Sequence, residues 1–168
     1  MKKLLWIGAL SVLLLTACGD ETKEEPKFEE TADTTINDSE SVEEKKAWNE
    51  SLEEIINSSE SPSEKFYSLE TVMMDAEISE DDVNTFKQDI LSAYKDKTYL
   101  SNPTDDEFML NLIFKSYIVE QNVEGDWKDF AFDFHQNVKY VYRGAETPES
   151  DSVKSNEEQM DKVINKLN

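Results

Sequence analysis

Phe108-Met109-Leu110-Asn111-Leu112-Ile113-Phe114-Lys115-Ser116-Tyr117-Ile118-Val119 decides the fold of this chain. Nine of its twelve residues are apolar, which leaves only a thin polar stripe through Asn111 and Lys115. A helix that is apolar nearly all round is buried by its neighbours. The stretch is therefore expected to be the central member of an orthogonal helical bundle. A re-entrant membrane segment competes with that reading, but the run is short for a bilayer core of about 30 Å, and Lys115 interrupts it.

Working outward, the punctuation falls where apolar periodicity breaks. From position 41 onward the glycines are Gly125 and Gly144, and the prolines are Pro62, Pro103 and Pro148. Ser61-Pro62-Ser63-Glu64 combines a cap residue, a proline at the first helical position and a glutamate three after the cap, which is a capping box. Thr104 with Glu107 suggests another, and Ser79 with Asp82 a looser one. Thr147-Pro148 opens the last helix, unless it begins at Ser155 with Glu158. Gly144 after Arg143 suits a helix C-cap.

These marks predict helices near 41–58, 62–76, 79–97, 104–123, 126–143 and 149–167. Their apolar faces follow the three-and-four spacing of an amphipathic helix. The first shows Trp48, Leu52, Ile55 and Ile56; the second Phe66, Leu69, Val72, Met73 and Ala76; the third Val83, Phe86, Ile90 and Tyr94. The fifth offers Trp127, Phe130, Phe134, Val138 and Val141, and the last Val153, Met160, Val163, Ile164 and Leu167. Only Val138 to Tyr142 alternates like a strand, and a helix fits it equally well. The fold class is all-α, a compact bundle of about six helices.

Residues 19–40 differ sharply from this domain. They are rich in Glu, Asp, Thr and Ser, with Phe28 and Ile36 as their only large apolar residues. Such a stretch cannot bury enough apolar surface to offset chain entropy, so a disordered tether is expected over 18–40. As a coil it would span roughly 25–30 Å. That leaves residues 41–168 as one helical domain with enough chain for a real core.

The first residues carry a different signal. Lys2 and Lys3 give a positive start, Leu4 to Leu14 is apolar apart from Gly8 and Ser11, and small residues lead into Cys18. That is the layout of a secretory signal peptide over 1–17. Leu15-Thr16-Ala17-Cys18 resembles the lipobox of bacterial lipoproteins, and the resemblance implies that Cys18 carries a diacylglycerol after cleavage ahead of it. The alternatives are a plain signal peptide with a chance cysteine, or an uncleaved anchor helix. Cys18 is the only cysteine, so lipidation would leave neither a free thiol nor a disulfide. Two acyl chains, at about 0.8 kcal/mol per buried methylene, anchor stably where one is marginal. The implied location is the extracytoplasmic face of the cell membrane. The scarcity of cysteine leans towards a Gram-positive source.

The chain carries 17 basic and 38 acidic residues, a net charge of −21. Without Lys2 and Lys3, 15 basic against 38 acidic residues leave −23. Such an excess argues against nucleic acid and against an electrostatic grip on anionic headgroups. It is explained by solubility, with attraction of cationic peptides or metal ions as the functional alternative.

Catalytic constellations are scarce. His135 is the only histidine, which rules out a two-histidine metal site, and a partly buried histidine bonded to a backbone or carboxylate partner is expected. No serine lies in a glycine-flanked elbow, and no glycine-rich loop could cradle a phosphate. Asp126, Asp129 and Asp133 share a helix face, but no calcium-loop spacing accompanies them. Asp126 is read as an N-cap and no metal is assigned. Phe132 lies across its helix from Phe130 and Phe134, so either that helix is sandwiched, which is the expectation, or Phe132 marks a contact patch. Arg143, the only arginine, is expected to pair near Glu146 and Glu149 or to cap its own helix, with a clamp on a ligand carboxylate as the lesser reading.

Tyr140-Val141-Tyr142-Arg143-Gly144 and the run from Ser152 to Lys162 look like the C-terminal region of small uncharacterised lipoproteins of Gram-positive bacteria and their prophages. That resemblance implies no activity, and the lipobox carries over only Cys18. The functional expectation is a non-catalytic module, without cofactor, that binds a protein or peptide at the cell surface. Binding of a small molecule or cation is the second reading and catalysis the third. A flat apolar patch would favour the first, and a pocket of mixed lining the second.

Overall fold

Helix boundaries in this chain follow local hydrogen-bond chemistry. The computed structural model describes residues 47–167; the expected signal peptide, Cys18, the tether and the first helix before Ala47 lie outside the described residues. Among the described residues there are six helices: α1 Trp48–Asn57, α2 Pro62–Asp75, α3 Glu80–Lys95, α4 Asp106–Asn122, α5 Asp126–Tyr142 and α6 Asp151–Val163, the last running into a 3-10 turn at Ile164–Lys166. Ser61 and Glu64 form the expected capping box at the start of α2, and Ser79 accepts from the Asp82 amide to start α3. At the end of α5 the amides of Gly144 and Ala145 donate to the carbonyls of Val141 and Tyr140, with Gly144 at φ 70°. This is a Schellman end, and the left-handed conformation at Gly144 explains why glycine stands there.

Three expected caps are corrected. Asp105, not Thr104, caps α4, accepting from the Phe108 amide at 2.9 Å; a carboxylate gains from the helix dipole where a hydroxyl gains little. Asp126 is the first residue of α5 and not its cap, because the chain turns through Gly125 at φ 63°. The last helix begins at Asp151, two residues beyond the expected start, with Ser150 rather than Thr147 in the cap position, because Thr147 to Ser150 closes into a turn of its own.

The core is organised on α4. Met109, Leu110, Ile113, Phe114 and Val119 are fully enclosed, and α4 packs against α1, α2, α3 and α5. Fully burying a side chain of this size contributes about 1.5–3 kcal/mol, so the helix is held by its neighbours rather than by propensity. Trp48 of α1 stacks on Phe114 at 4.7 Å, and Phe86 of α3 meets both rings edge-on. Lys115 leaves the stripe to pair with Asp89 at 2.7 Å. No helix among the described residues is long and apolar enough to cross a membrane.

α6 rests on α5 and is pinned by polar contacts. Buried Asn137 donates to the Tyr99 hydroxyl and the Val153 carbonyl, and accepts from Asn156 at 2.7 Å. Tyr99 donates to Glu157, and Tyr94 to Asp161 at 2.7 Å. Every polar atom of Asn137 is thus satisfied, as burial requires. Burial and these acceptors push both phenols above the ordinary tyrosine range.

Candidate functional site

α2 and α5 both pack on α4 but hardly on each other, which leaves a groove with α4 as its floor. A cleft of about 360 Å3 lies in it, lined by Phe66, Glu70, Met73 and Met74 of α2, Tyr117 and Glu120 of α4, and His135, Gln136 and Lys139 of α5. Helical period produces this lining. Phe66 and Met73 continue the buried face of α2, whereas Glu70 and Met74 stand on its shoulder.

The walls run antiparallel. At one end the Arg143 guanidinium lies over the rings of Phe66 and Tyr67, at 4.8 and 5.0 Å, and donates to the Tyr67 hydroxyl at 2.9 Å. In the middle Glu70 and Lys139 act on each other through space, and at the far end Met73 and Met74 share the lining with His135 and Gln136. From Tyr67 to Met74 the groove is about 10 Å long.

The large apolar side chains that stay exposed among the described residues are Tyr67, Met74, Phe132 and Tyr140, at 56%, 69%, 47% and 40%. All four belong to the two helices that wall the groove. Tyr67 and Met74 stand about one turn to either side of Glu70, and Phe132 and Tyr140 one turn to either side of Gln136. The sandwiched α5 that the sequence suggested is therefore corrected: α4 and α6 cover two sides of it, and the side bearing Phe132 has no helix against it.

His135 is buried, as expected, with backbone company. Its Nδ1 lies 3.3 Å from the Ile113 carbonyl and 3.2 Å from Ser116 Oγ. The Ser116 hydroxyl donates to the Leu112 carbonyl at 2.7 Å, so Nδ1 carries the proton and donates. Burial, then the charge of Lys139, push the imidazole down to about 4, against the Ile113 contact. The pair is unlike a catalytic one, because Ser116 is wholly enclosed and its hydroxyl points into its own helix. Burial raises Glu120, and burial followed by the neighbouring Arg143 lowers Lys139.

Arg143 departs from its expected partners. It turns away from Glu146 and Glu149 and stacks on α2, where two flat rings match its planar guanidinium. Asp126, Asp129 and Asp133 do not converge: Asp126 pairs with Lys166 at 3.2 Å, and burial with the Asp129 charge raises Asp133. Among the described residues no group of three or more metal-ligating side chains gathers.

Tyr67, Glu70, Met74 and Lys139 are groove residues that sequence reading passed over. Their signal was present, since Tyr67 and Met74 are large apolar residues lying off the apolar face of their helix. A larger cleft between α1 and α2, about 580 Å3, opens at Ala47, where the described chain begins. Another of about 430 Å3 between α3 and α4 is crossed by the Asp89–Lys115 pair. No family model, curated protein or solved structure matches the chain.

Proposed function

We propose that this protein is a lipid-anchored module on the extracytoplasmic face of the cell membrane that captures a protein or peptide, without catalysis, in the groove between α2 and α5. One observation carries the reading: among the described residues the exposed large apolar side chains all stand on the two helices that wall a single cleft, and Met74 lines it. Exposed apolar groups gathered in one place mark contact surfaces, whereas scattered ones mean nothing. The anchor is the diacylglycerol implied by Leu15-Thr16-Ala17-Cys18.

Small-molecule binding is the second reading, favoured by the mixed lining of Glu70, Glu120 and Lys139 beside Phe66 and Tyr117. The cleft volume is near the low end of ligand pockets, about 300–1,000 Å3. A ligand enclosed there would leave Tyr67, Phe132 and Tyr140 bare. A peptide that seats one side chain in the cleft and lies along the groove covers them.

The test is photocrosslinking in cells, with the full chain carrying a benzophenone side chain at Tyr140 or, as a control, at Lys154 on the exposed side of α6. A defined adduct from position 140, lost when Met74→Asp is added and absent from position 154, is the expected result. Equal adducts from both positions, or a groove adduct indifferent to Met74→Asp, would remove the groove from the reading.

A further inference from the structure

Lys139 of α5 and Arg143 at its C-cap are one turn apart, and neither is in an ion pair with a described carboxylate. Two adjacent cations on the wall of one cleft form a local positive site in a chain of 38 acidic and 17 basic residues. Arg143 is also held in place: its face lies on Phe66 and Tyr67, and its hydrogen bond to Tyr67 spans the groove and closes that end. Its Nε is enclosed, so the guanidinium fixed by stacking presents its Nη donors as a rigid fork, which suits a carboxylate. The Lys139 ammonium lies 4.8 Å from the centre of the Tyr140 ring on the same wall.

Glu70 and Glu120 decide where an anion could sit. Both line the middle of the cleft and act on Lys139 through space without touching it. An acidic group in mid-groove would face both carboxylates with Lys139 alone to offset them, whereas one towards the closed end would have Arg143 as well as Lys139, one turn away. A chain running along the groove must stop at the Arg143–Tyr67 contact. The group that belongs at a dead end is a chain terminus.

We infer that the groove captures the carboxyl terminus of a peptide, with the terminal carboxylate on Arg143 and Lys139 and a large apolar last side chain in the cleft over Phe66, Met73 and Tyr117. This rests on the groove being the binding site. It narrows the partner to one with an accessible, apolar C-terminal residue. Terminal-carboxylate capture is a known use of fixed donors in peptide recognition. The length of about 10 Å holds roughly three extended residues.

The test uses the full chain in detergent micelles and three pools of fluorescent hexapeptides. The first two end in Leu, Ile, Met or Phe, one with a free carboxylate and one amidated. The third is amidated and carries an internal Glu. The free-acid pool should bind about tenfold or more tightly than either of the others. Lys139→Gln should erase that advantage while leaving the thermal midpoint unchanged, and Arg143→Lys, which keeps the charge but not the fork, should reduce it. Equal binding of the first two pools, a preference for internal Glu, no binding of any pool, or an advantage that survives Lys139→Gln would each overturn the terminal-carboxylate inference. The groove itself is judged separately: if Met74→Asp leaves free-acid binding intact, the site lies elsewhere on the protein.

Discussion

The ammonium of Lys65 in α2 lies 2.6 Å from a carboxylate oxygen of Asp106, the first residue of α4. Lys65 is almost wholly enclosed and also donates to the Ile56 carbonyl at 2.7 Å, while Tyr142 donates to the other Asp106 oxygen at 2.8 Å. Four helices thus meet at one ion pair. Lysine is rarely buried so fully, and it is tolerated here because its charge is paired.

Removing the carboxylate should therefore be costly. Asp106→Ala leaves a buried ammonium and a buried phenol short of a partner, and it should lose about 2–3 kcal/mol, less than a fully enclosed pair because Asp106 is itself partly exposed. The pH dependence follows from sign. Burial works to raise Asp106, but its bonds from Lys65 and Tyr142 hold it below the ordinary carboxylate range. Its contribution is complete above about pH 4 and disappears as pH falls through the lowered value. Glu120 and Asp133, raised by burial, act with opposite sign, so the useful quantity is a difference. The stability gap between wild type and Asp106→Asn, from denaturant midpoints, should narrow below pH 4. A constant gap would show that the charge does not matter.

His135 gives a second pH window. Its imidazole is pushed down to about 4, chiefly by burial, whereas an unfolded histidine titrates near 6.5. Between those values the unfolded chain binds the extra proton, so stability falls as pH falls, by up to about 3 kcal/mol. His135→Gln keeps a donor for the Ile113 carbonyl and cannot titrate. Its stability should stay flat where the wild type declines from pH 6.5 to 4. Parallel curves would mean that His135 is charged or solvated in the folded protein.

The central helix offers the plainest energetic test. Ile113 and Phe114 are fully enclosed, and Phe114 stacks with Trp48. Either residue changed to alanine should cost about 2–5 kcal/mol, because the cavity cannot collapse within a packed core. Glu158→Ala, on the exposed side of α6, should stay within about 0.5 kcal/mol. Similar midpoint shifts in all three variants would contradict the central placement of α4.

How legible these features were depended on whether their cause was local. The α2 capping box and the Gly144 C-cap need only neighbours in sequence, so they were readable. The burial of α4 was readable from Phe108 to Val119, because a helix without a polar face has one fate. The Asn137 cluster was not, since Asn137, Tyr99 and Glu157 look like surface residues until the fold brings them together. Arg143 shows the same gap: Glu146 and Glu149 were near in sequence, but Tyr67, 76 residues away, was near in space. The groove was hidden for a further reason. It is made by two helices that share a floor and touch each other only at the Arg143 end, and periodicity describes single faces rather than the space between them.

Cys18 is the sole thiol, so Cys18→Ala should abolish labelling by a fatty-acid analogue and release the protein from the membrane; equal label in both forms would end the lipoprotein reading. With the anchor intact, the stretch from 19 to 40 has a composition that cannot form a core, so deleting it should leave the thermal midpoint unchanged. Its expected role is reach, roughly 25–30 Å from the lipid. Stepwise shortening should reduce the Tyr140 photoadduct in cells while hexapeptide affinity in micelles stays constant, because the groove is untouched and only its distance from the membrane changes. A large drop in stability would instead place the stretch against the domain. An undiminished adduct would leave it as no more than a solubilising acidic segment.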